Sequence, residues 1–218
     1  MARKTRDRAL FAGFLILAAG CLAGCAPRSH VSCEPNYHSD AALDMTSSRT
    51  ALAVLPFQAE RGVPESFARL SQELLTGLLS QESLPVIGSA ELLSEWETAE
   101  GRPWRVPQGR EDFQRLRGVL NADVAVLGTV TRYVYGQMNP TEIAFSIAVV
   151  DLASGRRIAS FDASGLSRRS LAYSGLSKPP QSPESLAPAV MSSVRRSVVK
   201  VLKGTGKSPT RGALDGQD

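Results

Sequence analysis

Residues 123–135 have the sequence DVAVLGTVTRYVY. Valines alternate with side chains that change from Ala and Leu to Thr and Tyr along the segment. This pattern predicts a strand that is buried at its start and wetter at its far end, where Tyr133 and Tyr135 lie. Gly128 in the middle of the strand indicates a close backbone approach.

Two further strands are predicted directly after it. Residues 143–152 place large apolar side chains on one face and small ones on the other, where a helix or a neighbouring subunit could approach closely. Residues 157–165 carry polar side chains on one side, which suits the edge of a sheet. Turn residues at Asn139-Pro140 and Ser154-Gly155 separate the three segments, so they predict an antiparallel meander.

The segments on either side of the meander predict the remaining layers. Residues 51–57 and 84–87 are short apolar runs around an amphipathic segment, 64–81, and predict a parallel strand–helix–strand unit with a right-handed crossover. Further helices are predicted to begin near Ser89, Arg110 and Pro188, the last of them ending near Lys203. The predicted fold class is α/β: a mixed sheet with a strand–helix–strand start and a three-stranded antiparallel meander, with helices packed on the sheet.

The amino-terminal segment predicts export and lipid attachment. It has a basic start and an apolar run over 9–19, the layout of a secretory signal peptide, and this run is too short to span a bilayer. The sequence Leu22-Ala23-Gly24-Cys25 resembles the lipobox of bacterial lipoproteins, which implies cleavage between Gly24 and Cys25 and acylation of Cys25. An ordinary cleaved signal is the alternative. Ala26, in place of an acidic residue, implies anchoring on the periplasmic face of the outer membrane.

This processing predicts four parts: a signal peptide, 1–24; the lipidated cysteine and a flexible tether, 25–50; a periplasmic α/β domain, 51–203; and a disordered tail, 204–218. The first 24 residues hold four of the 25 Lys and Arg and one of the 21 Asp and Glu, which leaves 21 basic against 20 acidic residues. The basic character of the whole chain therefore does not indicate nucleic-acid binding. The predicted membrane contact is the lipid anchor.

The sequence offers no catalytic or metal-binding constellation. The histidines, His30 and His38, stand eight residues apart in the predicted tether, without an acidic cluster at ligand spacing, so no metal site is predicted. The predicted folded region holds no histidine to activate a nucleophile, so the chain is predicted not to be an enzyme and to need no cofactor. Cys33 is interpreted as a tolerated linker thiol, with an intermolecular disulfide as the alternative.

Three aromatic residues are candidates for contact with a protein partner. Trp104 lies between Pro103 and Arg105 in a loop, and aromatic and Arg side chains are favoured at interface hot spots. The alternative is that Trp104 folds back as the plug of its own loop. Tyr133 and Tyr135, at the wetter end of the strand, are expected to be exposed together with Trp104.

The core of the chain resembles a known periplasmic domain in three pieces that occur in the same order. They are ALAVLPF at 51–57, LNADVAVLGTV at 120–130 and VVDLASG at 149–155. This layout is similar to that of a domain shared by the curli-secretion lipoprotein CsgG, the penicillin-binding-protein activator LpoB and the amino-terminal domain of TolB. Asn121 and Ser154 stand where Gly and Thr are common in that layout.

The resemblance implies a protein-binding adaptor in cell-envelope assembly, whose partner is an envelope protein. A homo-oligomer related to the secretion channel is one alternative, which would use the small-residue face of 143–152 or the edge strand 157–165. No segment outside the core alternates as a strand of a membrane barrel would. An envelope hydrolase is the other alternative, and it would require turnover of cell-wall or lipid substrates.

Overall fold

A computed structural model describes residues 29–38, 51–82, 84–136, 140–168, 170–171, 177–178 and 180–203. Its strands are β1 (Ser29–His38), β2 (Leu52–Val54), β3 (Gln58–Ala59), β4 (Val86–Ile87), β5 (Val124–Val134), β6 (Thr141–Asp151), β7 (Arg156–Ser167), β8 (Ser170–Leu171) and β9 (Ser177–Lys178). Its helices are α1 (Glu65–Ser80), α2 (Ser89–Glu100), α3 (Arg110–Leu120) and α4 (Pro183–Leu202). Among the residues described, no helix combines the length and the apolar character that crossing a membrane requires.

Seven strands form one open, mixed sheet in the order β1-β7-β6-β5-β2-β4, with β3 also paired to β5. Strand β2 is parallel to both β4 and β5, and helix α1 connects β2 and β3 to β4. Strands β5, β6 and β7 pair antiparallel in sequence order. The predicted fold class, with its strand–helix–strand start, its meander and its packed helices, is therefore confirmed.

Strand β1 corrects two of the predictions. Residues 29–38 were predicted to belong to a flexible tether, but they pair antiparallel with β7 along the whole strand. Val31 and Cys33 pack against the hydrophobic core while Ser32 and Glu34 point to the other face, so the segment is a two-faced strand. Strand β7 is consequently enclosed between β6 and β1, and the prediction that 157–165 is an edge strand is wrong.

Helices α1 and α4 cover one face of the sheet and enclose the main hydrophobic core. The aromatic rings of Phe67 and Phe145 meet there with their centroids 6.1 Å apart. Helix α4 crosses β7 where Gly165 leaves room for Leu186 and Val190. The predicted close approach at Gly128 is confirmed, because the ring of Phe57 lies directly against it.

The turns accommodate Asn121 and Ser154, the two residues that depart from the layout that the sequence resembles. Asn121 ends α3 in the left-handed conformation, with φ of 50°, which Asn tolerates better than most residues other than Gly. Ser154 donates a hydrogen bond to Asp151 Oδ2, and the backbone N–H of Arg156 donates to Ser154 Oγ at 3.2 Å. Asn121 and Ser154 thus fit the positions at which they stand.

Candidate functional site: the open face of the sheet

The second face of the sheet is covered along only part of its width. Helices α2 and α3 pack on the β2–β5 side, where Ala53, Leu55 and Ala125 join a second hydrophobic cluster around Trp96. Helix α3 reaches the turn between β6 and β7, where Gln114 donates a hydrogen bond to the Ala153 carbonyl oxygen. Beyond that turn, in the part of the chain that the structure describes, no helix packs on this side of β6, β7 and β1. This uncovered surface is called the open face below, and it includes Glu34, Tyr37, Ala144, Ser146, Asp162 and Ser164.

The alternation in β6 explains why the open face is flat and polar. Ile143, Phe145 and Ile147 point into the core, so Ala144, Ser146 and Ala148 must point to the opposite side. A shallow groove of about 520 Å³ lies on this side, lined by Ala144 of β6 and by polar groups of β1 and β7. The sequence-based expectation that small residues of 143–152 form a separate face is confirmed.

Two carboxylates face each other within this groove. Glu34 of β1 lies directly opposite Asp162 of β7 in the antiparallel register. The Asn36 side-chain amide donates a hydrogen bond to Asp162, but neither carboxylate belongs to any of the seven ion pairs found among the described residues. Like charges opposite each other on neighbouring strands destabilise a sheet. The groove therefore carries an unfavourable negative charge that a cationic side chain would relieve.

Tyr37 adds an exposed aromatic ring to the same surface. A bulge between Pro35 and Tyr37 shifts the register, so that Tyr37 pairs with Ser160, which is on the side of the sheet occupied by Asp162. Its side chain is 49% exposed, and tyrosine is among the residues most enriched at interface hot spots. Tyr37 and Glu34 are not among the site residues predicted from the sequence, because the segment that contains both is predicted to be a tether. The alternation of Val31 and Cys33 with polar residues was the signal available.

Trp104 lies at the covered end of this side of the sheet. Its ring meets that of buried Trp96 edge-on with centroids 5.4 Å apart, and the Arg102 guanidinium stands 5.8 Å from the Trp96 centroid. Trp104 is half-buried against the second cluster. This is the arrangement expected if the loop tryptophan folds back over its own loop.

Tyr133 and Tyr135, the other two predicted contact residues, do not form one surface with Trp104. Tyr133 packs edge-on against Phe67, with centroids 4.9 Å apart, and its hydroxyl donates to Glu184 Oε1 at 3.1 Å. Burial, and then the hydrogen bond to the Glu184 carboxylate, raise the pKa of Tyr133. Tyr135 is 59% exposed. Because Tyr133 lies on the α1–α4 side and Trp104 on the α2–α3 side, the prediction of one joint aromatic surface is wrong.

The other predicted site residues divide into two groups. Gly24 and Cys25, the predicted cleavage and lipidation positions, lie outside the described residues. His30 and His38 both belong to β1, and His30 is exposed. Within the described ranges, no three His, Cys, Asp or Glu side chains are grouped as a metal ion would require.

Cys33 yields a prediction about pH. Its thiol is half-buried between β1 and α4, with Sγ 3.4 Å from Ser197 Oγ, and burial raises the pKa of Cys33. A raised pKa means that folding favours the protonated thiol. This contribution to stability is complete below the ordinary thiol pKa of about 8.5 and is lost as pH rises through the higher pKa of the folded protein.

We therefore expect Cys33 to react with iodoacetamide more slowly in the folded domain than in the urea-unfolded chain at pH 8 to 9. Cys33→Ser should remove the corresponding part of the alkaline loss of stability, measured by urea unfolding as a function of pH. Equal alkylation rates in the two states would contradict the burial of this thiol.

Sequence comparison finds no matching family model and no matching curated protein. Solved structures do match. A lipoprotein of Neisseria meningitidis, GNA1162, is 18% identical and matches 69% of this chain and 99% of its own, with a TM-score of 0.48. The PelC dodecamer of Paraburkholderia phytofirmans is 14% identical over 76% of this chain and 98% of its own, with a TM-score of 0.42.

The carboxyl-terminal domain of LpoB from Salmonella enterica also matches, at 16% identity, with a TM-score of 0.40. The match covers 56% of this chain and 86% of that domain. Identities this low describe a likeness of fold. Of the resemblance stated from the sequence, the LpoB part has a counterpart among the solved structures, and the CsgG and TolB parts stay predictions.

Proposed function

We propose that this protein is a lipid-anchored adaptor of the cell envelope that binds a protein partner on the open face. The lipobox-like sequence ending at Cys25 supports attachment to the periplasmic face of the outer membrane. The partner is an envelope protein that presents basic side chains to the groove. Cell-wall synthesis, with activation of a penicillin-binding protein, or secretion is the setting that the sequence resemblance favours.

The proposal rests on the pair of Glu34 and Asp162, two facing carboxylates that form no ion pair among the described residues. A sheet gains stability from opposite charges on facing residues, so a carboxylate pair is a local cost that the fold itself does not require. Complementary charge across an interface steers association and fixes the register of the partner. Tyr37 beside the pair supplies an aromatic anchor, and the small side chains of β6 allow close contact.

Charge reversal separates this role from a structural one. Glu34→Lys places opposite charges across from each other, so we expect the free energy of unfolding to rise by about 0.5 kcal/mol. The same substitution should weaken partner binding at least tenfold, or by about 1.4 kcal/mol. The matched control is Glu97→Lys on the exposed surface of α2, which should leave binding unchanged.

The binding measurement uses a photo-crosslinking amino acid at Ser146, in the middle of the open face, in cells that express the full chain. We expect a discrete crosslinked product containing an envelope protein, which mass spectrometry identifies and which Glu34→Lys abolishes. A crosslinker at Glu97 should not give this product. If Ser146 gives no product while Glu97 does, the open face is not the binding surface.

A second copy of this chain is the alternative occupant, because small side chains on β6 also suit a contact between subunits. Crosslinks between two copies at Ser146, together with an oligomer in light scattering, would favour this alternative. A monomer that crosslinks to another envelope protein would exclude it.

A further inference from the structure

We propose that one end of the sheet contacts the membrane surface and sets the orientation of the domain on it. This inference rests on the proposed lipid attachment at Cys25. The end concerned, called the anchor end, is defined by the first residue of β1, Ser29, and by the residues that lie beside it. Tyr135 is the exposed side chain that meets the lipid headgroups there, and exposed Arg168 marks the position of the same end.

The strand registers define the anchor end. Ser29 pairs with Ser167, the last residue of β7, and Ser167 pairs with Thr141, the first residue of β6. Val134, the last residue of β5, pairs with Glu142, which follows Thr141 in β6. Tyr135 and Arg168 directly follow these strands, so both belong to the same end of the sheet.

The length of chain between the lipid and the sheet is short. Four residue steps separate Cys25 from Ser29, and a fully extended chain spans at most about 3.6 Å per residue, or about 14 Å in total. A tether of 25 residues would have reached about 80 Å when taut. Strand β1 is paired with β7 over its whole length, so Ser29 cannot move away from the sheet without breaking that pairing.

The opposite end of the sheet is much farther from the lipid. Strand β7 has 12 residues, which corresponds to about 40 Å at about 3.3 Å per residue. Arg156 begins this strand and Arg168 follows its end, so two exposed arginines mark the two ends of one element. The anchor end is therefore held near the headgroups, and the proposed orientation directs the turn at Ser154-Gly155 away from them.

Tyr135 suits the position that this geometry gives it. It is one of two large hydrophobic side chains described as exposed, and the other, Tyr37, belongs to the open face. Tyrosine favours the membrane–water interface because its ring is apolar and its hydroxyl is polar. With the strands directed away from the membrane, the groove of the open face stays accessible from the side.

The test uses the full-length, lipidated protein in vesicles of phosphatidylethanolamine and phosphatidylglycerol, with Cys33 replaced by serine. Single cysteines, introduced as Arg168→Cys or Arg156→Cys, carry a fluorescent label, and nitroxide-bearing lipids in the vesicles quench it. We expect the label at 168 to be quenched at least threefold more strongly than the label at 156. Equal quenching, or stronger quenching at 156, would overturn the proposed orientation.

Two variants test whether the short tether and Tyr135 hold the anchor end near the headgroups. Inserting twelve Gly and Ser residues between Ala26 and Pro27 should reduce quenching at 168 while the protein still floats with the vesicles, because a longer tether releases the anchor end. Tyr135→Ser should also lower quenching at 168. Quenching that neither variant changes would overturn the tether argument and the Tyr135 contact.

Flotation and the mass of the amino terminus provide a separate measurement of lipid attachment. A protein with unmodified Cys25 that fails to float would overturn both the anchor and this orientation. A lipidated protein that floats with equal quenching at 168 and 156 would overturn the orientation alone. Partner binding on the open face is measured independently by crosslinking at Ser146.

Discussion

Gly165→Val is expected to lower the free energy of unfolding by about 3 kcal/mol, at the upper end of the usual cost of overpacking a core. A Cβ atom at position 165 would stand 2.7 Å from Val190 Cγ2 and 2.9 Å from Leu186 Cγ. Leu186 and Val190 belong to the buried side of α4, and both are fully packed. The valine could fit only if the helix moved away from β7, which would loosen the main core.

Gly118→Ala is the matched control, because it adds a Cβ where there is space. Gly118 is exposed on α3, and nothing lies within 4 Å of the position that its Cβ would take. Alanine favours a helix over glycine, so this variant should gain about 0.5 kcal/mol. Urea unfolding of both variants gives the comparison. A Gly165→Val protein as stable as the wild type would show that α4 does not pack on β7 as described.

Local patterns in the sequence were sufficient to predict the meander and the helices. In β6, the alternation of large apolar and small side chains matches the buried and accessible faces of the strand. The apolar positions of α1, including Phe67, Leu75 and Leu79, recur on its buried side. In such elements the side chains themselves specify the period and the face, so a single sequence is enough.

Strand β1 could not be predicted in the same way. It contains Pro35, which weakens the strand pattern, and its alternation extends over only a few residues. Its partner, β7, lies more than 120 residues away in the chain, and no local signal indicates that pairing. Because Glu34 and Tyr37 belong to β1, the residues of the candidate site were missed together with the strand.

A β-bulge explains why the aromatic residues were placed on the wrong face. Simple alternation along β5 puts Tyr133 on the side opposite Val130. The register shifts between Val130 and Arg132, so that Tyr133 pairs with Ile143 and joins the core side. A bulge of this kind inserts one residue and reverses every later side chain in the strand.

Trp96→Ala is expected to lower the free energy of unfolding by about 4 kcal/mol, because it leaves a large cavity in the cluster under α2 and α3. The Trp96 side chain is 2% exposed and packs with Leu92 and Leu116. Trp104 is the half-buried ring of the Trp96–Trp104 pair. Trp104→Ala should therefore lower the free energy of unfolding by less than half as much as Trp96→Ala. Urea unfolding followed by circular dichroism measures both losses without relying on tryptophan fluorescence.

Trp96→Phe separates the contribution of the ring from that of its polar atom. The Trp96 Nε1–H group is buried and has no hydrogen-bond partner among the described residues, and such a group costs about 1–3 kcal/mol. Phenylalanine removes this donor while it keeps most of the apolar ring, so we expect Trp96→Phe to lose less than about 2 kcal/mol. A loss as large as that of Trp96→Ala would mean that the indole N–H is bonded in solution. The cluster would then depend on a polar contact as well as on apolar packing.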